Sequence, residues 1–151
     1  MTDQPNSKNK GLLVALLMIL TAASPIAGSA QADHDTDSDG NFTGTTVKIG
    51  FLGDQTGMIS SYWSGFYEAA TIANNHLNEQ AHDYGTNVQF EIVYADSGCD
   101  SSTATNGAHA LVSAGVMFVV GALCSGASMS ANAVLSAAGI PHISPTSSSP
   151  A

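Results

Sequence analysis

The chain has 151 residues, of which 12 are Asp or Glu and only three are Lys or Arg, so its formal net charge at neutral pH is −9. Proteins that bind nucleic acids neutralise phosphates with clustered Lys and Arg side chains, and this composition excludes that class. The negative charge favours solubility but does not by itself indicate a fold.

The first 32 residues have the pattern of a secretory signal peptide. Lys8 and Lys10 precede an apolar segment, residues 11–23, which is shorter than a typical membrane-spanning helix. Small residues up to Ala32 then predict cleavage after that position. An N-terminal membrane anchor is the alternative interpretation of this segment. We expect the mature protein to be extracytoplasmic and to form a single domain.

An acidic leader without apolar periodicity follows, at residues 33–46. Within it, residues 35–40 match the first half of a calcium-binding loop, because three Asp residues alternate along the chain and Gly40 follows them. The match fails at the twelfth position, where Thr46 replaces the bidentate Glu that such a loop requires. We interpret the leader as flexible and solvated, and we expect neither a metal nor a cofactor.

From residue 47 onwards, strand patterns alternate with helix patterns. The predicted strands are residues 47–52, 87–96, 116–120 and 141–144, and the predicted helices are residues 61–78, 101–114 and 126–138. This β-α-β-α-β-α-β order predicts an α/β fold with three layers, in which a parallel sheet carries helices on both faces.

The sequence predicts the apolar face of the first helix and both ends of the second. The apolar face of the first helix consists of residues at helical spacing, Phe66, Ala69, Ala70, Ala73 and Leu77. The second helix is expected to begin with Ser101 or Ser102 as its N-cap and to end at Gly115.

Small hydroxyl residues follow the third and fourth predicted strands. Ser125 lies where the third strand runs into a helix, and Thr146 and Ser148 follow the fourth strand. In parallel α/β sheets, ligands bind at the carboxyl ends of the strands, where helix N-termini present free N–H groups. These hydroxyls therefore predict a hydrogen-bonding site for a small solute, although Ser and Thr are also common in caps and turns.

The two cysteines, Cys99 and Cys124, follow the second and third predicted strands and so lie at the same edge of the sheet. An even number of cysteines in a secreted chain favours a disulfide. A zinc site is the weaker alternative, because one Cys pair lacks two further ligands at usable spacing.

Four segments together resemble the type I periplasmic binding proteins, in particular the leucine/isoleucine/valine-binding family of branched-chain amino-acid ABC transporters. They are Val47–Gly57, Tyr94–Asp100, Gly121–Ser125 and Ile143–Pro150. The resemblance covers residues 47–151, about the first third of a typical member. It implies the N-terminal ligand-binding lobe, incomplete and without the second lobe, so we expect this chain to be a fragment of a longer protein.

The resemblance also implies roles for individual residues. Cys99 and Cys124 match the family's disulfide pair, and Ser125 matches the serine that holds the ligand's α-carboxylate. Thr146 matches the position whose backbone carbonyl accepts from the α-ammonium. Ser148 matches a hydroxyl residue that contacts both groups.

Tyr62 resembles an aromatic residue that lines the family's cleft, and Trp63 beside it is a second candidate. The implied function is that of a soluble periplasmic component of an ABC transporter. Such a protein captures a branched-chain amino acid or a related amide between two lobes and delivers it to a membrane permease. The family's second lobe supplies the acidic partner of the ammonium, so we expect the fragment alone to bind amino acids weakly.

Other functions stay open at this point. The same lobe occurs in the ligand-sensing ectodomains of receptors. A secreted hydrolase would use Cys124 or Ser125 on the strand-to-helix turn, but the G-x-S-x-G pattern is absent and no His is placed to act as a base. A dinucleotide-binding domain is disfavoured because residues 53–57 lack the G-x-G-x-x-G pattern.

Overall fold

The computed structural model describes residues 42–149. The predicted signal peptide and most of the predicted acidic leader, including residues 35–40, lie outside this range. Strands and helices alternate in the described part: β1 Thr45–Gly53, α1 Trp63–Asp83, β2 Val88–Asp96, α2 Ser101–Ala114, β3 Phe118–Gly121, α3 Ser125–Ala137 and β4 His142–Ile143. Within residues 42–149, every helix is too short or too polar to cross a membrane.

All neighbouring strands of the sheet are parallel, in the order β2-β1-β3-β4. The inner strands are β1 and β3, and β1 pairs with β2 along its whole length and with β3 from Ile49 to Leu52. The predicted parallel α/β sheet is therefore confirmed. Because the strands are parallel, their carboxyl ends lie at one edge, and the four loops that follow them meet there.

Side chains that alternate along β1 separate the two helical layers. Leu52 is fully buried in a cluster with Leu111 of α2 and Leu135 of α3. Ile49 and Phe51 point to the opposite face, which α1 covers. The fold therefore has helices on both faces of the sheet, as predicted.

The N-cap of α2 differs from the prediction. Asp100, rather than Ser101 or Ser102, is the cap, and its carboxylate accepts the backbone N–H of Ser102 (2.9 Å) and of Thr103 (3.0 Å). The Thr103 N–H and then the Ser102 hydroxyl hold the pKa of Asp100 below its usual range. A carboxylate has the advantage over a hydroxyl here because its charge also interacts with the helix dipole.

Several boundaries also differ by a few residues. α1 continues to Asp83, five residues beyond its predicted end, because no Gly or Pro interrupts the helix before Gly85. β1 begins at Thr45, two residues early, so it includes the end of the predicted leader. β3 begins at Phe118, two residues late, because the N–H of Val116 still bonds back to the last turn of α2.

The predicted apolar face of α1 is only partly buried. Ala69, Ala73 and Leu77 are exposed, and an open apolar groove of about 200 Å³ lies between this face and β3. The cause is visible in the hydrogen bonds of α1. Asn74 and Asn78 donate to the carbonyl of Phe90 and so hold the helix over β2, away from β3.

Candidate ligand-binding site

Residues of three kinds join the four loops at the carboxyl edge of the sheet. Carboxylates join the loops after β1 and β2, a disulfide joins the loops after β2 and β3, and hydroxyls join the loops after β3 and β4. These loops are residues 54–62, 97–100, 122–124 and 144–149.

Asp96, the last residue of β2, binds the loop after β1. Its Oδ1 accepts the N–H of Gln55 (2.9 Å), Thr56 (3.2 Å) and Gly98 (2.9 Å), and its Oδ2 accepts the Thr56 hydroxyl (2.5 Å). Partial burial raises the pKa of Asp96, but the bonds from the Thr56 hydroxyl and from three backbone N–H groups outweigh this effect and hold the pKa below its usual range.

This lowered pKa predicts that acid weakens the fold. The stabilisation by Asp96 is complete above the ordinary carboxyl pKa of 3.8 and is lost as the pH falls through the lower pKa of the folded state. In urea unfolding at stepped pH, we expect the unfolding free energy to fall between about pH 5 and pH 2, and to fall less steeply in Asp96→Asn. Glu91→Gln, an exposed carboxylate on the same strand, is the control and is expected to keep the wild-type slope. Equal slopes in the wild type and Asp96→Asn would contradict the prediction.

The same two loops touch at a glycine. Gly57 has a φ of 86°, and a Cβ at this position would lie 2.1 Å from the carbonyl oxygen of Gly98. Only glycine fits both the left-handed backbone and this close approach. Gly57, the last residue of the Val47–Gly57 segment, is therefore required by the packing of the two loops.

A second carboxylate, Asp54, lies below these loops and is 1% exposed. Its Oδ1 accepts the Ser97 hydroxyl and the backbone N–H of Cys99, the latter at 2.7 Å. Oδ2 has no hydrogen-bond partner among residues 42–149. Asp54 thus ties the end of β1 to the residue that forms the disulfide.

Cys99 and Cys124 form a disulfide, which confirms the predicted pairing. Their Cα atoms are 5.3 Å apart, within the usual range for such a bond. The bond joins the loop after β2 to the N-terminus of α3, where Cys124 is the N-cap residue. Because its sulfur is in the disulfide, Cys124 is not available as the nucleophile that the hydrolase hypothesis needs.

Ser125 is the first residue of α3, one position earlier than the predicted helix start. No side chain caps this N-terminus, and its first turn contains no acidic residue. The first N–H groups of a helix have no partner within the helix, and the helix dipole makes this end favourable for an anion. The site can therefore accept a carboxylate without a cationic side chain.

A hydroxyl cluster, which consists of Ser128, Ser144, Thr146 and Ser147, holds the loop after β4 against the loop after β3. Ser144 and Ser128 both donate to the carbonyl of Ala122, at 2.6 Å and 2.9 Å. Thr146 donates to the carbonyl of Leu123 at 2.6 Å, and the Ser147 hydroxyl lies 2.7 Å from that of Ser128. The cluster fixes the loop that carries Thr146 and Ser148.

Three of the four predicted ligand-binding residues lie at these two adjoining loops, with Ser125 at the start of α3 and Thr146 and Ser148 in the loop after β4. The N–H of Ser149 donates to the Ser125 hydroxyl at 3.1 Å, which brings Ser125 beside the segment that carries Thr146 and Ser148. Ser125 and Ser149 also line a shallow cavity of about 300 Å³. Thr146 and Ser148 are exposed and do not line that cavity.

The fourth predicted residue, Tyr62, ends the 3-10 turn Ser60–Tyr62 after β1, and its side chain is 65% exposed. Trp63, the second aromatic candidate, has a different environment. Its ring packs 6.0 Å from Phe51 and 5.9 Å from Tyr94, measured between ring centroids. Trp63 therefore packs on the α1 face of the sheet, and of these two candidates Tyr62 is the one that is open to solvent.

Three buried polar residues whose hydrogen bonds hold these loops in place were not predicted from the sequence. Asp54, Ser97 and Ser128 are buried polar residues, and none was a candidate. One signal was present for Asp54, because a carboxylate directly follows the buried end of β1. The hydroxyl of Ser128 gave no such signal, since Ser is also common on the exposed face of a helix.

Comparison with known proteins gives a consistent result. A family model described as a periplasmic binding protein matches residues 46–151. The leucine-, isoleucine-, valine-, threonine- and alanine-binding protein of Pseudomonas aeruginosa is 31% identical over 131 residues, which are 87% of this chain and 32% of that protein. The Leu/Ile/Val-binding protein of Escherichia coli is 28% identical over 104 residues, which are 69% of this chain and 28% of that protein.

Solved structures show the same similarity. The branched-chain amino acid transporter substrate-binding protein LivJ of Streptococcus pneumoniae, in complex with isoleucine, has a TM-score of 0.62 and 31% identity, over 70% of this chain and 30% of that chain. This chain therefore spans about a third of the length of the relatives it matches. It belongs to the periplasmic binding protein family, as a type I member related to the leucine/isoleucine/valine-binding proteins.

Proposed function

We propose that this chain forms one wall of the ligand site in an extracytoplasmic solute-binding protein that captures a small amino acid of the branched-chain type. The observation that carries the proposal is the contact between the uncapped N-terminus of α3 at Ser125 and the hydroxyl-rich loop after β4. An anion-binding helix end therefore lies directly beside a loop of hydroxyls and carbonyls, the combination that a zwitterion requires.

The chemistry of the two loops favours a neutral zwitterion over a charged ligand. Residues 122–129 and 144–149 contain no Asp, Glu, Lys or Arg. The α-carboxylate would accept from the Ser125 hydroxyl and the first N–H groups of α3. The α-ammonium would donate to the Thr146 carbonyl and the Ser148 hydroxyl. Tyr62 would cover the ligand's apolar side chain from the loop after β1.

The cellular context of the proposal follows from the family and from the N-terminal sequence. The signal-peptide pattern of residues 1–32 and the Cys99–Cys124 disulfide both fit a protein exported to an oxidising compartment. A similar protein of Desulfitobacterium hafniense is named as an ABC transporter substrate-binding protein in complex with Leu. We propose an ABC-transporter permease as the membrane partner and the periplasm as the location, with no catalytic residue and no cofactor.

An NMR titration of the 151-residue chain with L-leucine tests the proposal. We expect shifts at the amides of residues 125–127 and 146–149, with a dissociation constant of about 1 mM, because one wall supplies roughly half of the contacts of a micromolar site. Isoamylamine lacks the carboxylate of leucine and is expected to leave the amides of residues 125–127 unshifted. Equal responses to leucine and isoamylamine would contradict the assignment of the carboxylate to α3.

A pair of serine variants localises the effect. Ser125→Ala removes one hydrogen bond to a charged group and is expected to weaken leucine binding about tenfold. Ser113→Ala is the matched control, because this exposed hydroxyl bonds only within its own helix, to the carbonyl of His109. If both variants bind leucine as the wild type does, Ser125 is not a ligand-binding residue.

A further inference from the structure

The proposed ligand site does not use Asp54, a carboxylate that is buried beneath the loops at the carboxyl edge of the sheet. It is 1% exposed, and within the described part of the chain its Oδ2 has no hydrogen-bond partner. A buried carboxylate oxygen without a donor is unfavourable, and native proteins seldom retain one without a reason. The disulfide between Cys99 and Cys124 lies next to this carboxylate.

Within residues 42–149, Asp54, Cys99 and Cys124 form a group of three residues whose potential metal-ligand atoms all lie within 4.8 Å of one another. Cys sulfurs and Asp oxygens are both ligands of zinc, and open zinc sites combine three protein ligands with a water molecule. In the oxidised protein the sulfurs are bonded to each other and carry no charge. They become ligands for a metal ion only as thiolates.

We propose that the reduced form of this protein binds one Zn²⁺ through Asp54, Cys99 and Cys124. A dithiol reductant gives two protons and two electrons to the disulfide, which becomes two thiols while the reductant becomes a disulfide. Zn²⁺ then displaces the two thiol protons into solvent and takes the Asp54 carboxylate as its third ligand. A water molecule occupies the fourth position.

The backbone already holds the ligands close enough for this exchange. The Cα atoms of Cys99 and Cys124 are 5.3 Å apart. Ligand atoms at 2.0–2.3 Å from one zinc ion stand about 3.5 Å apart in a tetrahedral site, so the sulfurs need only to separate by side-chain rotation. The ion would also place a positive charge beside the buried Asp54 carboxylate. It would thus join the same three loops that the disulfide and Asp54 join in the oxidised protein.

The choice of zinc follows from the donor atoms. Thiolates are soft ligands and favour Zn²⁺ over Ca²⁺ or Mg²⁺, which prefer oxygen ligands. The loops around the site add no histidine or further cysteine to the three ligands. The redox state of Cys99 and Cys124 therefore determines whether the site can bind a metal ion. The disulfide form does not bind metal, and the dithiol form does.

Metal titrations of the full chain, reduced with a phosphine under argon, test this proposal. Cd²⁺ serves as the spectroscopic probe, because its bonds to thiolates absorb in the ultraviolet, and Zn²⁺ is measured by competition with a coloured chelator. We expect one equivalent of either ion to bind the reduced protein and none to bind the oxidised protein. If reduced wild type binds Zn²⁺ no more tightly than the Cys99→Ser/Cys124→Ser variant, the proposal is wrong.

The role of Asp54 is tested separately. Asp54→Asn is expected to weaken Zn²⁺ binding at least tenfold, whereas Asp100→Asn, an exposed carboxylate beside Cys99, is expected to leave it unchanged. A folded Asp54→Asn variant that binds Zn²⁺ as tightly as wild type would overturn the assignment. Should Asp54→Asn fail to fold, the ¹¹³Cd chemical shift of the reduced wild type still tests the metal site itself, since a mixed sulfur and oxygen environment supports it and oxygen or nitrogen ligands alone overturn it.

Discussion

Reduction of the Cys99–Cys124 disulfide is expected to lower the free energy of unfolding by about 3–4 kcal/mol. The bond closes a loop with a sequence separation of 25 residues, and opening it gives the unfolded chain more conformational freedom. The loss is large compared with the total stability of about 5–15 kcal/mol that is typical of a domain. Urea unfolding of the oxidised and reduced protein measures it directly.

Two controls make this measurement specific. A metal chelator must be present, because Zn²⁺ bound to the reduced cysteines would restore part of the stability. Reductant is expected to have no effect on the Cys99→Ala/Cys124→Ala variant, which should unfold at the urea midpoint of the reduced wild type. An unchanged midpoint on reduction of the wild type would show that the disulfide does not stabilise the fold.

Replacement of Asp54 by Ala is expected to cost about 3 kcal/mol of unfolding free energy. The substitution leaves the Ser97 hydroxyl and the Cys99 N–H, which both bond to Asp54, buried without an acceptor. Each buried donor that loses its acceptor lowers the unfolding free energy by about 1–3 kcal/mol. Removal of the buried Asp54 carboxylate offsets part of this loss, because a buried charge is itself unfavourable. Urea unfolding near pH 7 measures the difference.

Asp54→Asn separates the hydrogen bonds from the charge. The amide oxygen can still accept from Ser97 and Cys99, so we expect this variant to be more stable than Asp54→Ala. Asp83→Ala, at the exposed end of α1, is the control for simple loss of a negative charge and is expected to change the unfolding free energy by less than about 0.5 kcal/mol. An Asp54→Ala variant as stable as this control would refute the structural role of Asp54.

The order of the elements and the edge of the sheet at which the candidate residues lie were predictable from sequence, because both follow from periodicity and from strand ends. Apolar runs that alternate with helical spacing lead to a parallel sheet, and a parallel sheet places Ser125 and Thr146 at one edge. The pairing of Cys99 with Cys124 was predictable for the same reason, since both residues follow strands of that sheet.

Features that depend on tertiary contacts were not predictable. The burial of the α1 face depends on where Asn74 and Asn78 anchor the helix, and their bonds to Phe90 join residues 12 or more positions apart. The N-cap of α2 could not be assigned because Asp100 and Ser101 are adjacent and both residue types are favourable N-caps. The hydroxyl cluster connects the loop after β4 to α3 and to the carbonyls of the loop after β3, and neither segment alone indicates the other.

The hydroxyl cluster has a consequence for the conditions in which the loop after β4 keeps its shape. The bonds of Ser144 and Thr146 to the carbonyls of Ala122 and Leu123 join neutral groups. Salt screens interactions between charges but leaves such bonds nearly unaffected, and no group in them titrates near neutral pH. The loop after β1 is bound by the charged carboxylate of Asp96 and is therefore expected to loosen at low pH. The loop after β4 is expected to keep its geometry both at high salt concentration and in mild acid.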